Sequence, residues 1–182
     1  MIDIIVIVDK IGYYGPIILS ANCIGQLWMN SVYWQVYLVM FIANYYINGI
    51  LKLWIKQDRP TGGISISGES HTGADQYGMP SAHAQFAAFS TVYLYLVKHS
   101  QMWLIISVFI SSLTVYQRWK YRRHTVEQLG AGVAVGVMIA WASYMGAKMI
   151  IDKTSVEPKY DQPDKLLPSE LRFGELQRYI SK

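Results

Sequence analysis

Charged residues are scarce in this sequence, and cysteine is almost absent. Only 15% of the residues are Asp, Glu, Lys or Arg, while 52% are hydrophobic. Because soluble domains usually contain about 25% charged residues, this deficit argues against an ordinary soluble domain and favours lipid exposure. The single cysteine, Cys23, lies in an apolar stretch. One cysteine excludes both an internal disulfide and a cysteine-based metal site.

Recognisable metal-binding motifs are also absent. The sequence contains no HExxH motif and no Cys/His cluster, and its carboxylates have no recognisable ligand spacing. The formal net charge is +4 and the pI is about 9.1. The basic residues lie at the ends of apolar runs, which favours anionic lipid headgroups or a phosphate ligand over nucleic acid. We therefore expect no metal, no other cofactor and no nucleic-acid partner.

Five apolar runs predict an all-α fold, a polytopic membrane bundle of about five transmembrane helices. A bilayer-spanning helix needs roughly 20 mostly apolar residues. The predicted spans cover residues 13–29, 32–54, 81–97, 102–116 and 126–151. The first run is the weakest, and the fourth is short unless it extends through residues 117–119. We expect residues 1–151 to form one membrane-embedded domain and residues 152–182 a polar C-terminal tail.

The residues that could take part in binding or catalysis lie in three short segments, namely KLWIKQDRP (52–60), GMPSAH (78–83) and RWKYRRHTVEQ (118–128). A single lysine or arginine at a membrane edge usually only extends its charge to water, and a lone histidine is usually a packing residue. The predicted topology strengthens the case. The second and fourth spans end, and the third and fifth begin, on the same membrane surface, so all three segments should meet there.

The residue types in these segments suit phosphoryl transfer, which depends on positioning and on fixed positive charge. Lys52, Arg59 and Arg118 can neutralise phosphate oxygens, with the arginines binding two oxygens at once. Ser81 and the backbone N–H groups near Ala82 lie at a predicted helix N-terminus, which favours an anion. These five positions are the predicted phosphate-binding residues.

Two histidines, His83 and His124, can divide the remaining work. A neutral imidazole can attack phosphorus, and a protonated imidazole can give its proton to the leaving oxygen. Gln128 lies one helical turn after His124, and Glu127 lies beside it. Either side chain can accept the proton on the second imidazole nitrogen and so fix the tautomer. Gln128 is the preferred candidate.

The three segments resemble the signature of type 2 phosphatidic acid phosphatases and the related vanadium haloperoxidases, which reads KxxxxxxRP, PSGH and SRxxxxxHxxxD. The first part matches in full. In the second, Ala82 replaces glycine. In the third, Arg118 and His124 match at the correct spacing, while Gln117 replaces serine and Gln128 replaces the aspartate that orients the nucleophile. The resemblance covers about residues 32–150.

The resemblance implies a role for each matched residue. His124 would be the nucleophile that forms a phosphohistidine, and His83 would be the acid for the leaving group and then the base for water. Lys52, Arg59, Ser81 and Arg118 would hold the phosphate. Members of the superfamily need no metal for phosphatase activity.

Two stretches, YGMPSAHAQF and RHTVEQ, are more similar to the dolichyl-diphosphatase branch. That similarity implies dolichyl diphosphate, or another polyprenyl diphosphate, as the substrate in the lipid-carrier cycle of N-glycosylation. It also implies an endoplasmic reticulum membrane with a lumenal active site. The alternatives are a broader lipid phosphate phosphatase acting on phosphatidate or undecaprenyl diphosphate, and a non-catalytic membrane protein that binds lipid phosphates.

Overall fold

Five α-helices make up most of the structure, a computed structural model that describes residues 4–64 and 72–154. The helices are α1 (Ile4–Leu27), α2 (Ser31–Ile55), α3 (Ala82–Lys98), α4 (Gln101–Lys120) and α5 (Val126–Thr154), and a short 3-10 helix covers Gly73–Gln76. The predicted all-α fold class is confirmed. Helix α5 continues past residue 151, and the rest of the predicted tail, residues 155–182, lies outside the described residues.

Helix α3 lies at the centre of the bundle and contacts each of the other four helices. Its closest neighbour is α5, because Gly132 presents no side chain to it. A Cβ atom added at Gly132 would lie 2.5 Å from the carbonyl oxygen of Ser81. Small residues allow such close backbone approach between membrane helices. This contact fixes the beginning of α3 against the first turns of α5.

A row of buried amides joins α2 to α3. Asn44 and Asn48 lie one turn apart on α2 and share a face with Lys52 a further turn on. The Gln85 side chain of α3 donates to Asn44 Oδ1 at 2.6 Å and accepts from Asn48 Nδ2 at 2.8 Å. Asn48 Nδ2 also lies 3.2 Å from the carbonyl oxygen of Pro80. These bonds set the segment before α3 against the helix that carries Lys52.

Helix α1 begins at Ile4, well before the predicted start at residue 13, so that predicted boundary was wrong. The charged pair Asp9 and Lys10 lies inside the helix, before the predicted span. The Asp9 carboxylate is buried and accepts hydrogen bonds from Lys120 Nζ, at 2.7 and 2.9 Å, and from the Tyr121 hydroxyl, at 2.6 Å. A buried carboxylate needs such partners, and here they come from the far end of α4.

Of the five helices in the described part of the chain, three are long and apolar enough to cross a membrane: α1, α2 from residue 32, and α5. The other two are the shorter and more polar ones. Helix α3 has 17 residues and is surrounded by its neighbours, so its polar side chains need not face lipid. Helix α4 contains serines and a threonine and reaches Lys120, which includes the predicted extension through residues 117–119.

Candidate active site

A cavity of about 710 Å³ opens at the end of the bundle where α2 and α4 end and α3 and α5 begin. Its wall includes six of the predicted site residues, Lys52, Arg59, Ala82, His83, Arg118 and His124. They come from all three sequence segments. The structure therefore brings the two imidazoles and the three cations to one space at one end of the bundle.

The three cations reach the cavity from different elements. Lys52 lies in the last turn of α2 and is buried, with only 2% of its side chain exposed. Arg59 follows α2 and is fixed by hydrogen bonds from Nη1 and Nη2 to the carbonyl oxygens of Arg123 and Asp75, at 3.2 and 2.9 Å. Arg118 lies in the last turn of α4. Three converging positive charges make this a site for an anion with several oxygens.

Asp75, from the 3-10 helix, supplies a carboxylate to this cationic cluster. Its Oδ1 atom accepts a hydrogen bond from Lys52 Nζ at 2.5 Å and lies 3.4 Å from Arg59 Nη2. The sequence pattern indicated no role for Asp75, because the carboxylates of the chain lack metal-ligand spacing. Among residues 4–64 and 72–154, no group of three or more His, Cys, Asp or Glu side chains is arranged to hold a metal ion.

The contacts of His124 define its tautomer. Nδ1 lies 2.9 Å from the carbonyl oxygen of Gly78 and 3.3 Å from Gln128 Oε1. Both partners are oxygens that can only accept, so Nδ1 carries the proton. The Nε2 atom is then unprotonated and accepts from Arg59 Nη1 at 3.2 Å. Burial, together with the positive charges of Arg59, Arg118 and Lys52, holds the pKa of His124 well below its ordinary value. The imidazole is thus neutral with its lone pair in the cationic cavity.

Gln128 joins three parts of the site through one side chain. Its Oε1 atom accepts from the backbone N–H of Thr125 at 3.2 Å, and its own N–H lies 3.3 Å from Thr125 Oγ1. This reciprocal pair is a capping box that begins α5. The side-chain Nε2 atom donates to the carbonyl oxygen of Asp58 at 2.7 Å and to Gln57 Oε1 at 3.1 Å. Glu127 is exposed, so Gln128 is the predicted residue that reaches His124.

Gly78 makes the contact between His124 and Gln128 sterically possible. A Cβ atom at this position would lie 2.5 Å from both the nitrogen and the oxygen of the Gln128 amide. The backbone N–H of Gly78 donates to the carbonyl oxygen of Gln57 at 2.7 Å. Residues 57, 78, 124 and 128 therefore form one connected hydrogen-bonded unit. Gly78 begins the GMPSAH segment, and the sequence pattern indicated no role for it.

Ser81, a predicted phosphate-binding residue, is not among the residues that line the cavity. It precedes α3 as the N-cap residue, is fully buried, and donates its backbone N–H to the carbonyl oxygen of Gln128 at 3.0 Å. That N–H group is already used within the protein. Within the described part of the chain, the Ser81 hydroxyl has no hydrogen-bond partner. Ala82, the first residue of α3, lines the cavity, and the helix terminus there favours an anion.

Tyr13 is a site residue that the sequence did not reveal. Its ring lies 5.7 Å, centroid to centroid, from the imidazole of His83, and the Arg118 guanidinium lies 5.8 Å from the ring centroid. The second distance is in the range of a cation–π contact. Helix α1 lies outside the three segments, so only its packing on α3 and α4 shows that it contributes to the site.

An apolar groove of about 580 Å³ lies beside the cavity, between α1, α2 and α3. Tyr45, Tyr46, Ala82 and His83 line both spaces. The groove continues along apolar and aromatic side chains that include Ile17, Phe41, Ile42 and Phe86. The cationic cavity and the apolar groove therefore share a wall at His83.

This geometry is accompanied by a family match. Residues 33–151 match the model of the PAP2 superfamily. The chain belongs to the PAP2 superfamily. The match confirms the resemblance to type 2 phosphatidic acid phosphatases, and it includes all nine predicted site residues.

One curated relative and one solved structure are similar to this PAP2 superfamily member. It is 33% identical over 108 residues to "Dolichyldiphosphatase 1" of Dictyostelium discoideum, a match that covers 53% of this chain and 44% of the relative. This chain thus matches less than half the length of that protein. The structure resembles the first transmembrane PAP2-type phosphatidylglycerolphosphate phosphatase from Bacillus subtilis, with a TM-score of 0.59 and 22% identity. That likeness covers 79% of this chain and 76% of the other, and it supports the fold.

Proposed function

We propose that this chain is an integral-membrane lipid phosphate phosphatase that works through a phosphohistidine at His124. The observation that carries the proposal is the pair of contacts of His124, with Nδ1 beside the Gly78 carbonyl oxygen and Nε2 beside Arg59, at a cavity shared with His83 and three cations. These contacts favour the tautomer with an unprotonated Nε2. A neutral imidazole in that tautomer is ready to attack phosphorus. The preorganised positive charges stabilise the transferring phosphoryl group without a metal ion.

The proposed reaction has two steps. In the first, the Nε2 lone pair of His124 forms a bond to phosphorus, the bond between phosphorus and the lipid oxygen breaks, and protonated His83 gives its proton to that oxygen. In the second, a water oxygen attacks phosphorus while His83 takes a proton from the water. The phosphorus–nitrogen bond then breaks, which releases phosphate and restores both histidines. Water is the second substrate, and no redox change is involved.

The apolar groove supports a lipid as the substrate. A leaving oxygen protonated by His83 must lie beside that residue, and His83 also lines the groove. A hydrocarbon chain attached to that oxygen would therefore enter apolar surroundings like those that it has in the bilayer. The substrate headgroup and chain would occupy the cavity and the groove respectively.

For the specific lipid, we propose a polyprenyl diphosphate, with dolichyl diphosphate hydrolysed to dolichyl phosphate and phosphate. The similarity to a dolichyldiphosphatase and the stretch YGMPSAHAQF favour this substrate. The same similarity supports the further proposal that the protein lies in the endoplasmic reticulum membrane with a lumenal active site. A broader lipid phosphatase is the second candidate, because the apolar and aromatic side chains that line the groove can contact other hydrocarbon chains as readily.

The direct test is to trap the intermediate. Purified protein in detergent is incubated with lipid diphosphate carrying a radioactive terminal phosphate, quenched in alkali and analysed for phosphohistidine. We expect label on the parent protein and none on His124→Ala. Activity in excess chelator should equal that without it. Equal phosphate release by His124→Ala would refute the mechanism, and loss of activity in chelator would refute metal independence.

A substrate panel separates the candidates. Dolichyl diphosphate, undecaprenyl diphosphate and phosphatidate are compared by kcat/KM under the same detergent conditions. A clear preference for dolichyl diphosphate supports the narrower proposal, and equal rates support the broader one. Binding of all three without turnover by the parent protein would favour a non-catalytic lipid-phosphate-binding membrane protein.

A further inference from the structure

We propose that Asp75 determines which anions enter the site. Its carboxylate contacts Lys52 and Arg59, the groups that would bind the substrate phosphate, so that a terminal phosphate displaces it and a phosphodiester headgroup does not. The inference rests on the proposed function, because it takes Lys52 and Arg59 to be the groups that bind the substrate phosphate.

Asp75 contacts the cationic cluster in two independent ways. Its backbone carbonyl oxygen accepts from Arg59 Nε and Nη2, at 3.2 and 2.9 Å, and this holds the guanidinium in place. Its side-chain Oδ1 atom lies between Lys52 Nζ and Arg59 Nη2. The backbone contact therefore positions the arginine, while the carboxylate takes the place of an anionic ligand oxygen.

The exposure of the Asp75 and Lys52 side chains shows which of them can move away from the other. The Asp75 side chain is 56% exposed, whereas that of Lys52 is only 2% exposed. The carboxylate can turn into water by rotation of its own side chain, with the backbone contact to Arg59 retained. The buried lysine cannot turn away, and it needs an anion beside it because an unpaired buried charge is costly. Substrate phosphate would then replace one counter-ion with another.

Charge decides which ligand makes this exchange. The carboxylate carries one negative charge and is held beside its partners by the chain, so its effective concentration is high. A phosphodiester headgroup also carries one negative charge, so its attraction to the cations is no stronger than that of the Asp75 carboxylate that it would have to displace. A terminal phosphate carries about −1.5 to −2 at pH 7 and has three acceptor oxygens. It can contact Lys52, Arg59 and Arg118 together.

This exclusion matters because the cavity lies at one end of a membrane bundle, where phosphodiester lipids are abundant. A cationic cavity without an internal counter-ion would fill with their headgroups. Asp75 would keep such lipids out and leave the site available to the scarcer lipids that end in a phosphate or diphosphate. The substrate class is thus set partly by a residue outside the three sequence segments.

The test measures anion binding without turnover. Orthophosphate is titrated into the full chain in neutral detergent by calorimetry, and competition by phosphatidylglycerol, a phosphodiester, is measured in mixed micelles. Asp75→Asn keeps the shape and the backbone contact and removes the charge. Asp75→Glu retains the charge. Asp58→Asn, at an exposed carboxylate in the segment after α2, removes the same charge from the same surface.

We expect Asp75→Asn to bind orthophosphate about tenfold more tightly, the scale of one charge-assisted hydrogen bond, and to become sensitive to phosphatidylglycerol. Asp75→Glu and Asp58→Asn should behave like the parent protein. Unchanged affinity and unchanged lipid sensitivity in Asp75→Asn would overturn the inference, as would an equal effect of Asp58→Asn. If Asp75→Asn does not fold, Asp75→Ala gives the same comparison.

The outcomes for the two proposals are separable. Parent protein that binds orthophosphate in this Asp75-dependent way but hydrolyses no lipid phosphate would refute only the proposed function. Parent protein that hydrolyses its substrate, with an Asp75→Asn variant that binds anions as the parent does, would refute only the exclusion by Asp75.

Discussion

The carbonyl oxygen of Gly78 lies 2.9 Å from Nδ1 of His124, closer than the side-chain oxygen of Gln128 at 3.3 Å. In the family signature a carboxylate stands at position 128 and orients the nucleophilic histidine. Here the nearer partner is a neutral backbone group. The orientation of His124 therefore depends on the path of the chain at residue 78, with Gln128 as a second acceptor and as the link to the segment after α2.

We predict that Gly78→Ala lowers kcat by about a hundredfold, because displacing a reacting group by about 1 Å can cost that much. The added methyl group would meet the Gln128 amide at 2.5 Å. Gly130→Ala is the matched control, since a Cβ atom there meets nothing within 4 Å. Steady-state kinetics on the proposed substrate decide the matter, and equal loss in both variants would contradict this account.

We predict that Gln128→Glu is no better than Gln128→Ala, although glutamate is closer to the family's aspartate. The side-chain N–H groups of Gln128 donate to the carbonyl oxygen of Asp58 and to Gln57 Oε1. A glutamate carboxylate at position 128 has no donor for those two oxygens. We expect kcat to fall by about tenfold or more in both variants. If Gln128 served only to accept from His124, Gln128→Glu would keep or increase the rate, which kcat measurements would show.

Gln128→Glu also has a pH signature. A carboxylate near His124 favours the protonated imidazole and raises its pKa, so the acid limb of kcat/KM should move to higher pH. Gln128→Ala should produce no such upward shift. A purely structural effect would lower the rate of both variants without distinguishing their pH profiles in this way.

The pH profile of the parent protein follows from the lowered pKa of His124. In the proposed reaction, activity is lost as the pH falls and Nε2 takes up a proton, and the lowered pKa moves that loss to more acidic solution. We therefore expect the acid limb of kcat/KM to lie below pH 6.5, the ordinary histidine value.

Arg59→Gln removes one of the positive charges that lower this pKa, so its acid limb should lie at higher pH than that of the parent. The exposed Lys10, which does not line the cavity, provides the control Lys10→Gln. An acid limb at the same pH in the Arg59→Gln variant would show that its charge does not set the His124 pKa.

Tyr13 should affect the leaving-group step. We predict that Tyr13→Leu lowers kcat by about tenfold, because loss of the ring removes a neighbour of both His83 and Arg118. Tyr13→Phe retains both ring contacts and should stay closer to the parent. A substrate with a more acidic leaving alcohol gives a further check. Its leaving oxygen needs less protonation by His83, so Tyr13→Leu should lower kcat less with this substrate. A similar loss with both substrates would argue against this role.

The sequence was informative where its patterns are local or topological. Apolar runs predicted the positions of α2, α3, α4 and α5, with small shifts at their ends, because burial in lipid or protein demands such runs. The even number of spans between the segments correctly predicted that His83 and His124 meet at one end of the bundle. Those two conclusions needed no knowledge of side-chain contacts.

The sequence was uninformative where a contact depends on packing between distant residues. The early start of α1 depends on Asp9 meeting Lys120, its partner 111 residues away. The role of Asp75 depends on the path of a long polar segment, and that of Gly78 on a neighbour 50 positions later. Local propensity carries no signal for such pairs, so only the folded chain shows them.

The wall that His83 shares between the cavity and the apolar groove has a consequence for how the proposed reaction ends. Phosphate would depart towards water, while the shortened lipid would remain in the bilayer plane. Inhibition by phosphate would therefore depend on its concentration per volume of solution. Inhibition by the shortened lipid would depend on its concentration per area of membrane. Diluting the vesicles at constant lipid composition would relieve the first and leave the second unchanged.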